Sequence, residues 1–177
     1  GLYRTGKEFT GIFSRVLILP LFPVIYSHLS QWQNDFSKFK NILMDANKIV
    51  FAIATFIGLF LFLEGDLLAS LIFGPKWEGI SIIIMILGLK TIFTYFLHVN
   101  KEAYIALGKP NITTFLAIFS LIWYIPWYFY SINVSFDFFL WTVLLSTFIP
   151  IFIELIIVKR ILKINILAYF NNSKWVF

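Results

Sequence analysis

Cysteine is missing from this 177-residue sequence, and charged residues are scarce. Without cysteine, the chain can form no disulfide and can bind no metal through thiolates. Asp, Glu, Lys and Arg make up 13% of the residues, against about 25% in ordinary soluble domains. Hydrophobic residues make up 60%. Because much of the surface of a folded domain meets water, this composition argues against a soluble enzyme, a disordered tail or a nucleic-acid-binding module.

The common motifs of catalysis and metal binding are also missing. HExxH, GxSxG and a phosphate-binding P-loop do not occur in the sequence. The two histidines, His28 and His98, lie far apart, and the nine acidic residues are scattered without a DxD or DxxD pair. We therefore expect no catalytic residues, no metal site and no cofactor. A transporter needs a cavity and a hinge rather than a nucleophile, so this pattern is compatible with transport.

Long apolar runs make up most of the chain. A membrane-spanning helix needs about 20 mostly apolar residues. Residues 49–63 are apolar on every face, which argues against the alternating strands of a membrane barrel. The sequence therefore predicts an all-α, multi-pass transmembrane bundle over residues 1–160, followed by a tail over residues 161–177. The five predicted spans cover about residues 10–29, 42–63, 80–99, 112–130 and 138–158.

The basic residues predict the orientation of the bundle, since alternate connections share one side of the membrane. One side carries Arg4, Lys7 and Lys76, and the other carries nine cations. The positive-inside rule places the second side in the cytoplasm. The connections 30–41 and 100–111 and the C-terminal tail are thus predicted to be cytoplasmic. We expect Trp175 and Phe177 to hold that tail along the membrane surface. The nine cations are Lys38, Lys40, Lys48, Lys101, Lys109, Lys159, Arg160, Lys163 and Lys174.

Two cations inside predicted spans are the candidate substrate-binding residues. A charge at this depth is costly, so it usually faces a cavity, a partner or the interface. Arg15 either faces a cavity or extends to the headgroups, and its guanidinium suits phosphate oxygens. Lys90 either lines a hydrated cavity or pairs with Glu154, and a structural pair or a helix-packing role is the favoured interpretation.

Proline and aromatic residues add two further expectations. Pro20 and Pro23 each remove a backbone donor, so the first span should bend there, either as a hinge or as a static kink. Aromatic residues gather at one end of the fourth span, which favours an interfacial belt over a sugar-stacking platform. These aromatic residues are Trp123, Tyr124, Trp127, Tyr128 and Tyr130.

Several stretches resemble one family of membrane proteins. Residues 71–79, LIFGPKWEG, are similar to the fG-x-x-W turn between two helices of polysaccharide flippases. Residues 85–88, MILG, follow, and residues 103–110, AYIALGKP, resemble the a-l-G-k-p end of the next helix. Residues 19–27, LPLFPVIYS, resemble a proline-containing helix of that family. Over about residues 1–160, the chain thus resembles Wzx-type flippases of O-antigen and other lipid-linked oligosaccharides, within the multidrug/oligosaccharidyl-lipid/polysaccharide exporter superfamily.

The resemblance implies an architecture and a partner. The five spans would form most of the second six-helix bundle of a flippase with about 12 to 14 helices that works by alternating access. We therefore expect the chain to be part of a longer protein in the bacterial inner membrane. The implied substrate is an undecaprenyl-diphosphate-linked repeat unit, with Arg15 on a helix that lines the central cavity. The implied partners are the lipid bilayer and other polysaccharide-assembly membrane proteins, with no nucleic acid.

Two alternatives stay open at this point. One is a multidrug or other exporter of the same superfamily. The other is a membrane enzyme of polysaccharide assembly, such as a polymerase or glycosyltransferase. Such an enzyme would need paired acids or arginines in a large external loop. The predicted external loops are short, and none of them holds such a pair.

Overall fold

The computed structural model describes residues 1–164, and every regular element in that range is helical. This confirms the predicted all-α class. A π-helical turn (Ala69–Phe73) and a 3-10 turn (Pro75–Trp77) separate α4 from α5. The α-helices are α1 (Leu2–Leu17), α2 (Leu21–Gln31), α3 (Phe36–Leu63), α4 (Gly65–Leu68), α5 (Ile80–Tyr95), α6 (Asn100–Ala106), α7 (Pro110–Val134), α8 (Phe136–Leu145) and α9 (Phe148–Ile161). The predicted surface anchors Trp175 and Phe177, with the rest of residues 165–177, lie outside the described residues.

Within residues 1–164, four helical segments are long and apolar enough to cross a membrane: Phe36–Leu63, Ile80–Ala106, Pro110–Val134 and Phe136–Ile161. The bent pair of α1 and α2 meets the same test and makes a fifth. The helices extend beyond the predicted spans, and α1 begins at Leu2 rather than near residue 10. The connections are correspondingly shorter, because polar residues at span ends continue the helices.

Local sequence explains where several helices begin and end. The Asp35 carboxylate accepts a hydrogen bond from the Lys38 backbone N–H at 3.1 Å, which caps the start of α3. Ser135 caps α8 in the same way, through the Phe138 N–H at 3.1 Å. After α6, Gly108 takes the left-handed conformation with φ of 69°, and Pro110 opens α7. The chain therefore reverses within a few residues at each of these points.

Three of the five spans are interrupted. The first bends by 42° between α1 and α2, where Pro20 directly precedes α2 and Pro23 lies in its first turn. This bend was expected from the two prolines, and its motion as a hinge stays a prediction. The third span breaks at residues 96–99 between α5 and α6, and the fifth breaks at Ser146 and Thr147 between α8 and α9.

Close packing of α3 on α5 forms the centre of the bundle. A Cβ at Gly58 would lie 2.6 Å from the Gly88 carbonyl oxygen, and a Cβ at Gly88 would lie 2.8 Å from Leu61 Cβ. Glycine at both positions lets the two backbones approach, as in many membrane helix pairs. On the other face of α5, a Cβ at Gly6 of α1 would lie 2.6 Å from Ile83 Cγ2. Helix α5 is thus held between α3 and α1.

Candidate functional site

One face of α1 is polar along most of its length. The face consists of Tyr3, Lys7, Thr10, Gly11, Ser14 and Arg15, whose spacing of three or four residues places them on one side of the helix. Gly11, which has no side chain, and the buried hydroxyl residues Thr10 and Ser14 leave room beside Lys7 and Arg15. Glu8 lies at the edge of this face and lines the same space.

Helix α5 presents a second polar face to α1. Lys90, Thr91, Thr94 and Tyr95 recur at helical spacing and line the same space as the α1 residues. Because the close approach of Gly6 to Ile83 sets the distance between α1 and α5, the polar faces of the two helices are held opposite each other.

A cavity of about 280 Å³, open on one side, lies between the two faces. Lys7, Arg15 and Lys90 line it, and among residues 1–164 Glu8 is the one carboxylate that does so. Both candidate residues from the sequence, Arg15 and Lys90, therefore border one space. Arg15 lies about 20 Å along the bent pair from Leu2, and Lys90 about 15 Å along α5, at 1.5 Å per residue. The cavity thus holds an excess of positive charge between helices that are apolar enough to cross a membrane.

The Arg15 guanidinium is held by one residue two turns earlier in α1. Its Nη1 donates to the Glu8 carboxylate at 3.2 Å, and its Nη2 donates to the Glu8 backbone carbonyl at 3.1 Å. About half of the Arg15 side chain remains exposed. An exposed ion pair of this kind contributes about 0–1 kcal/mol, so an anion entering the cavity can displace the carboxylate.

Lys90 has a different environment from the one favoured by the sequence. Its Nζ lies 6.0 Å from the centre of the Tyr124 ring, and it forms no ion pair with Glu154 or with any other residue in 1–164. Lys90 therefore does not pair with Glu154 in the structure, and the helix-packing role that the sequence also favoured stays a prediction. The pair does not form because Lys90 faces α1, whereas Glu154 faces the break between α5 and α6, where Asn100 Nδ2 approaches it at 3.5 Å.

A second polar cavity, of about 240 Å³, lies between α5, α6, α7 and α9. His98, Lys101 and Glu154 line it, and Thr94 borders both cavities. The His98 ring also packs against Phe22 and Tyr95, with ring centres 5.2 Å and 5.3 Å away. The described residues contain no group of three or more His, Cys, Asp or Glu side chains that could hold a metal ion.

Lys7 and Tyr95 also line the cavity, although the sequence predicts no role in the site for either. Because the predicted first span begins near residue 10, the sequence places Lys7 in a connection. The signal was present, since Tyr3, Lys7, Thr10 and Ser14 recur with helical periodicity. Two aromatic residues of α7, Tyr128 and Tyr130, contact Phe139 and Phe138 of α8, and Trp123 Nε1 donates to the Ser146 carbonyl at 3.1 Å.

Comparison with known proteins relates part of this site to polysaccharide biosynthesis. Residues 1–82 match the model of a family described as polysaccharide biosynthesis protein. The match includes the α1 face with Lys7 and Arg15, together with α2 and α3. The chain matches no curated protein and no solved structure. The family match supports a role in polysaccharide biosynthesis, and the apolar helices indicate a membrane protein.

Proposed function

We propose that the chain is part of a flippase. Its substrate is an undecaprenyl-diphosphate-linked repeat unit of O-antigen or another polysaccharide, and its membrane is the bacterial inner membrane. The observation that carries this proposal is the cavity between α1 and α5, where Lys7, Arg15 and Lys90 surround one space at membrane depth. The family match over residues 1–82 supports the polysaccharide part of the proposal.

The cations suit the part of the substrate that is hardest to move. A diphosphate loses its hydration when it leaves water, at a cost that fixed charges must offset. Arg15 can bind two phosphate oxygens through parallel hydrogen bonds, and Lys7 and Lys90 add point charges. Hydroxyls of Thr10, Ser14 and Thr91 on the cavity wall can contact sugar hydroxyls.

The break at Pro20 supplies a place for movement. Arg15 lies three residues before the end of helical hydrogen bonding at Ile18, so a change of the 42° bend would move the α1 face relative to α2. Alternating access requires such displacement of one bundle segment against another around a central site. Pro20 and Pro23 are therefore proposed as the hinge of the first span.

The alternatives fit the cavity less well. An exporter of neutral or cationic drugs gains nothing from three cations around one space. A polymerase or glycosyltransferase would need reacting groups beside the diphosphate. In the described part of the chain, Glu8 is the one carboxylate on this cavity, and it is engaged with Arg15. We therefore propose transport without catalysis, in contact with the bilayer and with other membrane proteins of polysaccharide assembly.

The experiment uses cells whose surface polysaccharide depends on the protein that carries this chain. Arg15→Ala and Lys90→Ala should each reduce surface polysaccharide severalfold at equal protein level, because the diphosphate loses a counter-charge. Arg4→Ala is the matched control, since Arg4 is an exposed cation on the same helix that does not line the cavity. Wild-type polysaccharide in the Arg15 and Lys90 variants would contradict the proposal.

A further inference from the structure

An apolar crevice of about 320 Å³ lies between α2 and α3, and it shares no lining residue with the cationic cavity. Val24 and Ile49 on its wall are each more than half exposed, so the crevice opens at the surface of the described bundle. Among residues 1–164, the wall is apolar except for His28 and Asp45. Its apolar lining residues are Leu21, Val24, Ile25, Ile42, Ala46 and Ile49.

A cation and an aromatic ring lie at one end of this crevice. On α3, Lys38 comes four residues before Ile42 and therefore lies on the face that lines the crevice. Trp32 follows α2 and comes four residues after His28. The Lys38 Nζ lies 4.1 Å from the centre of the Trp32 ring. The two crevice-lining helix faces therefore end at a polar mouth, which is formed by Lys38 and Trp32.

Charges of both signs lie at the mouth and on the wall. The Lys38 Nζ lies 3.9 Å from the Asp35 carboxylate, and about half of each side chain is exposed. On the wall, Asp45 pairs with Lys48 at 3.1 Å. An exposed ion pair contributes about 0–1 kcal/mol, so Lys38 and Asp35 can each take another partner. The crevice thus offers an apolar wall together with one cation and one carboxylate that stand side by side.

We propose that the crevice binds one phosphatidylethanolamine molecule. An acyl chain lies along the apolar wall, the phosphate contacts the Lys38 ammonium, and the ethanolamine ammonium donates to the Asp35 carboxylate. This headgroup carries its ammonium two carbons from a phosphate oxygen, so neighbouring side chains of opposite charge suit both of its ends. Trp32 lies beside them, and amphipathic indole rings are enriched at the level of the headgroups.

The length of the crevice suits part of an acyl chain. Its lining residues run from Leu21 to His28 on α2 and from Ile42 to Ile49 on α3. Seven residues of helix measure about 10 Å, and one leaflet of the hydrocarbon core is roughly 15 Å thick. The crevice therefore holds about two thirds of a chain, and the rest continues into the bilayer. Because α3 is long and apolar enough to span a membrane, a lipid can enter from the side.

The charges at the mouth discriminate between headgroups. Phosphatidylglycerol carries one negative charge and no ammonium, so it leaves Asp35 without a partner and meets its repulsion. Phosphatidylcholine carries the same charges as phosphatidylethanolamine, but its quaternary ammonium has no N–H to donate to the carboxylate. Charge-assisted hydrogen bonds are stronger than neutral ones, so this difference favours ethanolamine. The inference does not require the proposed flippase function, since none of these lipids carries a diphosphate.

The experiment titrates the full chain in detergent micelles with the three lipids, matched in acyl chains, and counts bound lipid by native mass spectrometry. The wild type should bind one phosphatidylethanolamine saturably, and more tightly than either other lipid. Lys38→Gln and Asp35→Asn should each weaken this binding by about 2- to 5-fold, the worth of an exposed ion pair. Asparagine still caps α3 in the second variant. Lys109→Gln is the matched control, because Lys109 is an exposed cation just before α7 that lies outside the crevice.

Ile49→Trp tests the crevice without changing a charge. Ile49 is an exposed wall residue, and an indole there fills the space of the acyl chain, so all three lipids should bind more weakly. A thermal melt of the wild-type chain keeps the test independent of how the variants fold. Phosphatidylethanolamine should raise the melting temperature saturably and further than phosphatidylcholine does.

Equal binding of phosphatidylethanolamine and phosphatidylcholine by the wild type would overturn the proposal, as would tighter binding of phosphatidylglycerol. Undiminished lipid binding by folded Ile49→Trp would show that the crevice is not the site. Displacement of the bound lipid by an equal concentration of undecaprenyl phosphate would assign the crevice to a polyprenyl chain instead. Arg15→Ala and Lys90→Ala should bind phosphatidylethanolamine as the wild type does, so this assay and the transport assay can fail separately.

Discussion

In the proposed cycle, substrate entry into the cationic cavity depends on the contact between Arg15 and Glu8. The guanidinium holds both the carboxylate and the carbonyl of Glu8, and about half of it is exposed. A phosphate group can therefore replace the carboxylate without burying a new charge. In the proposed cycle Glu8 keeps the empty cavity closer to neutral, and the arriving diphosphate takes its place.

Removing this carboxylate should strengthen anion binding. Glu8→Gln is expected to raise the affinity of the full chain in nanodiscs for farnesyl diphosphate by roughly 1.5- to 5-fold, the worth of an exposed ion pair. Isothermal titration calorimetry measures the affinity. Glu78→Gln is the control, because Glu78 is an exposed acid outside the cavity. Weaker binding by Glu8→Gln would show that the carboxylate positions Arg15 rather than competing with the ligand.

At the scale of the helices, the three interrupted spans differ in how well the sequence predicts the interruption. Pro20 lacks a backbone N–H, so the bend of the first span follows from local chemistry. Residues 96–99, Phe-Leu-His-Val, contain neither proline nor glycine, and Ser146 and Thr147 are common in membrane helices. The local sequence therefore does not predict these two breaks.

The glycine contact between α3 and α5 gives a test at the same scale. Gly88→Ala should destabilise the chain by about 1–3 kcal/mol, because the new methyl group meets the backbone of α3. Gly11→Ala should stabilise it by up to about 1 kcal/mol, since alanine favours a helix and its nearest neighbour is the Arg15 side chain at 3.6 Å. Chemical unfolding in detergent followed by circular dichroism compares the two.

Effects of the same sign would refute this packing account. Equal stability of Gly88→Ala and the wild type would mean that α3 and α5 are further apart than described. A loss on Gly11→Ala would mean that α1 is tightly packed at Gly11 as well.

For the whole molecule, the open question is its orientation in the membrane. The structure contains the helices needed for five spans, and the cytoplasmic location of connections 30–41 and 100–111 stays a prediction from the basic residues. The absence of cysteine makes this simple to measure, because a single introduced thiol is the only one in the chain.

Ser37→Cys and Ser135→Cys should label from opposite sides. Ser37 lies in the first turn of α3, Ser135 lies between α7 and α8, and both are exposed. A membrane-impermeant maleimide should modify Ser135→Cys in intact cells and Ser37→Cys only after permeabilisation. The reverse pattern would invert the orientation, and labelling of both from one side would reduce the number of spans between them to an even one.

The class of the fold and the number of candidate spans follow from the sequence alone. Long runs without charge must satisfy their backbone hydrogen bonds within one segment in lipid, and only helices of about 20 residues do so. The meeting of Lys7, Arg15 and Lys90, and the separation of Lys90 from Glu154, depend on the packing of α1 and α9 on either side of α5 and α6. The faces by which two helices meet depend on how their surfaces fit, as where Gly6 leaves room for the Ile83 side chain. That fit involves residues far apart in the sequence, so it is decided only when the helices pack.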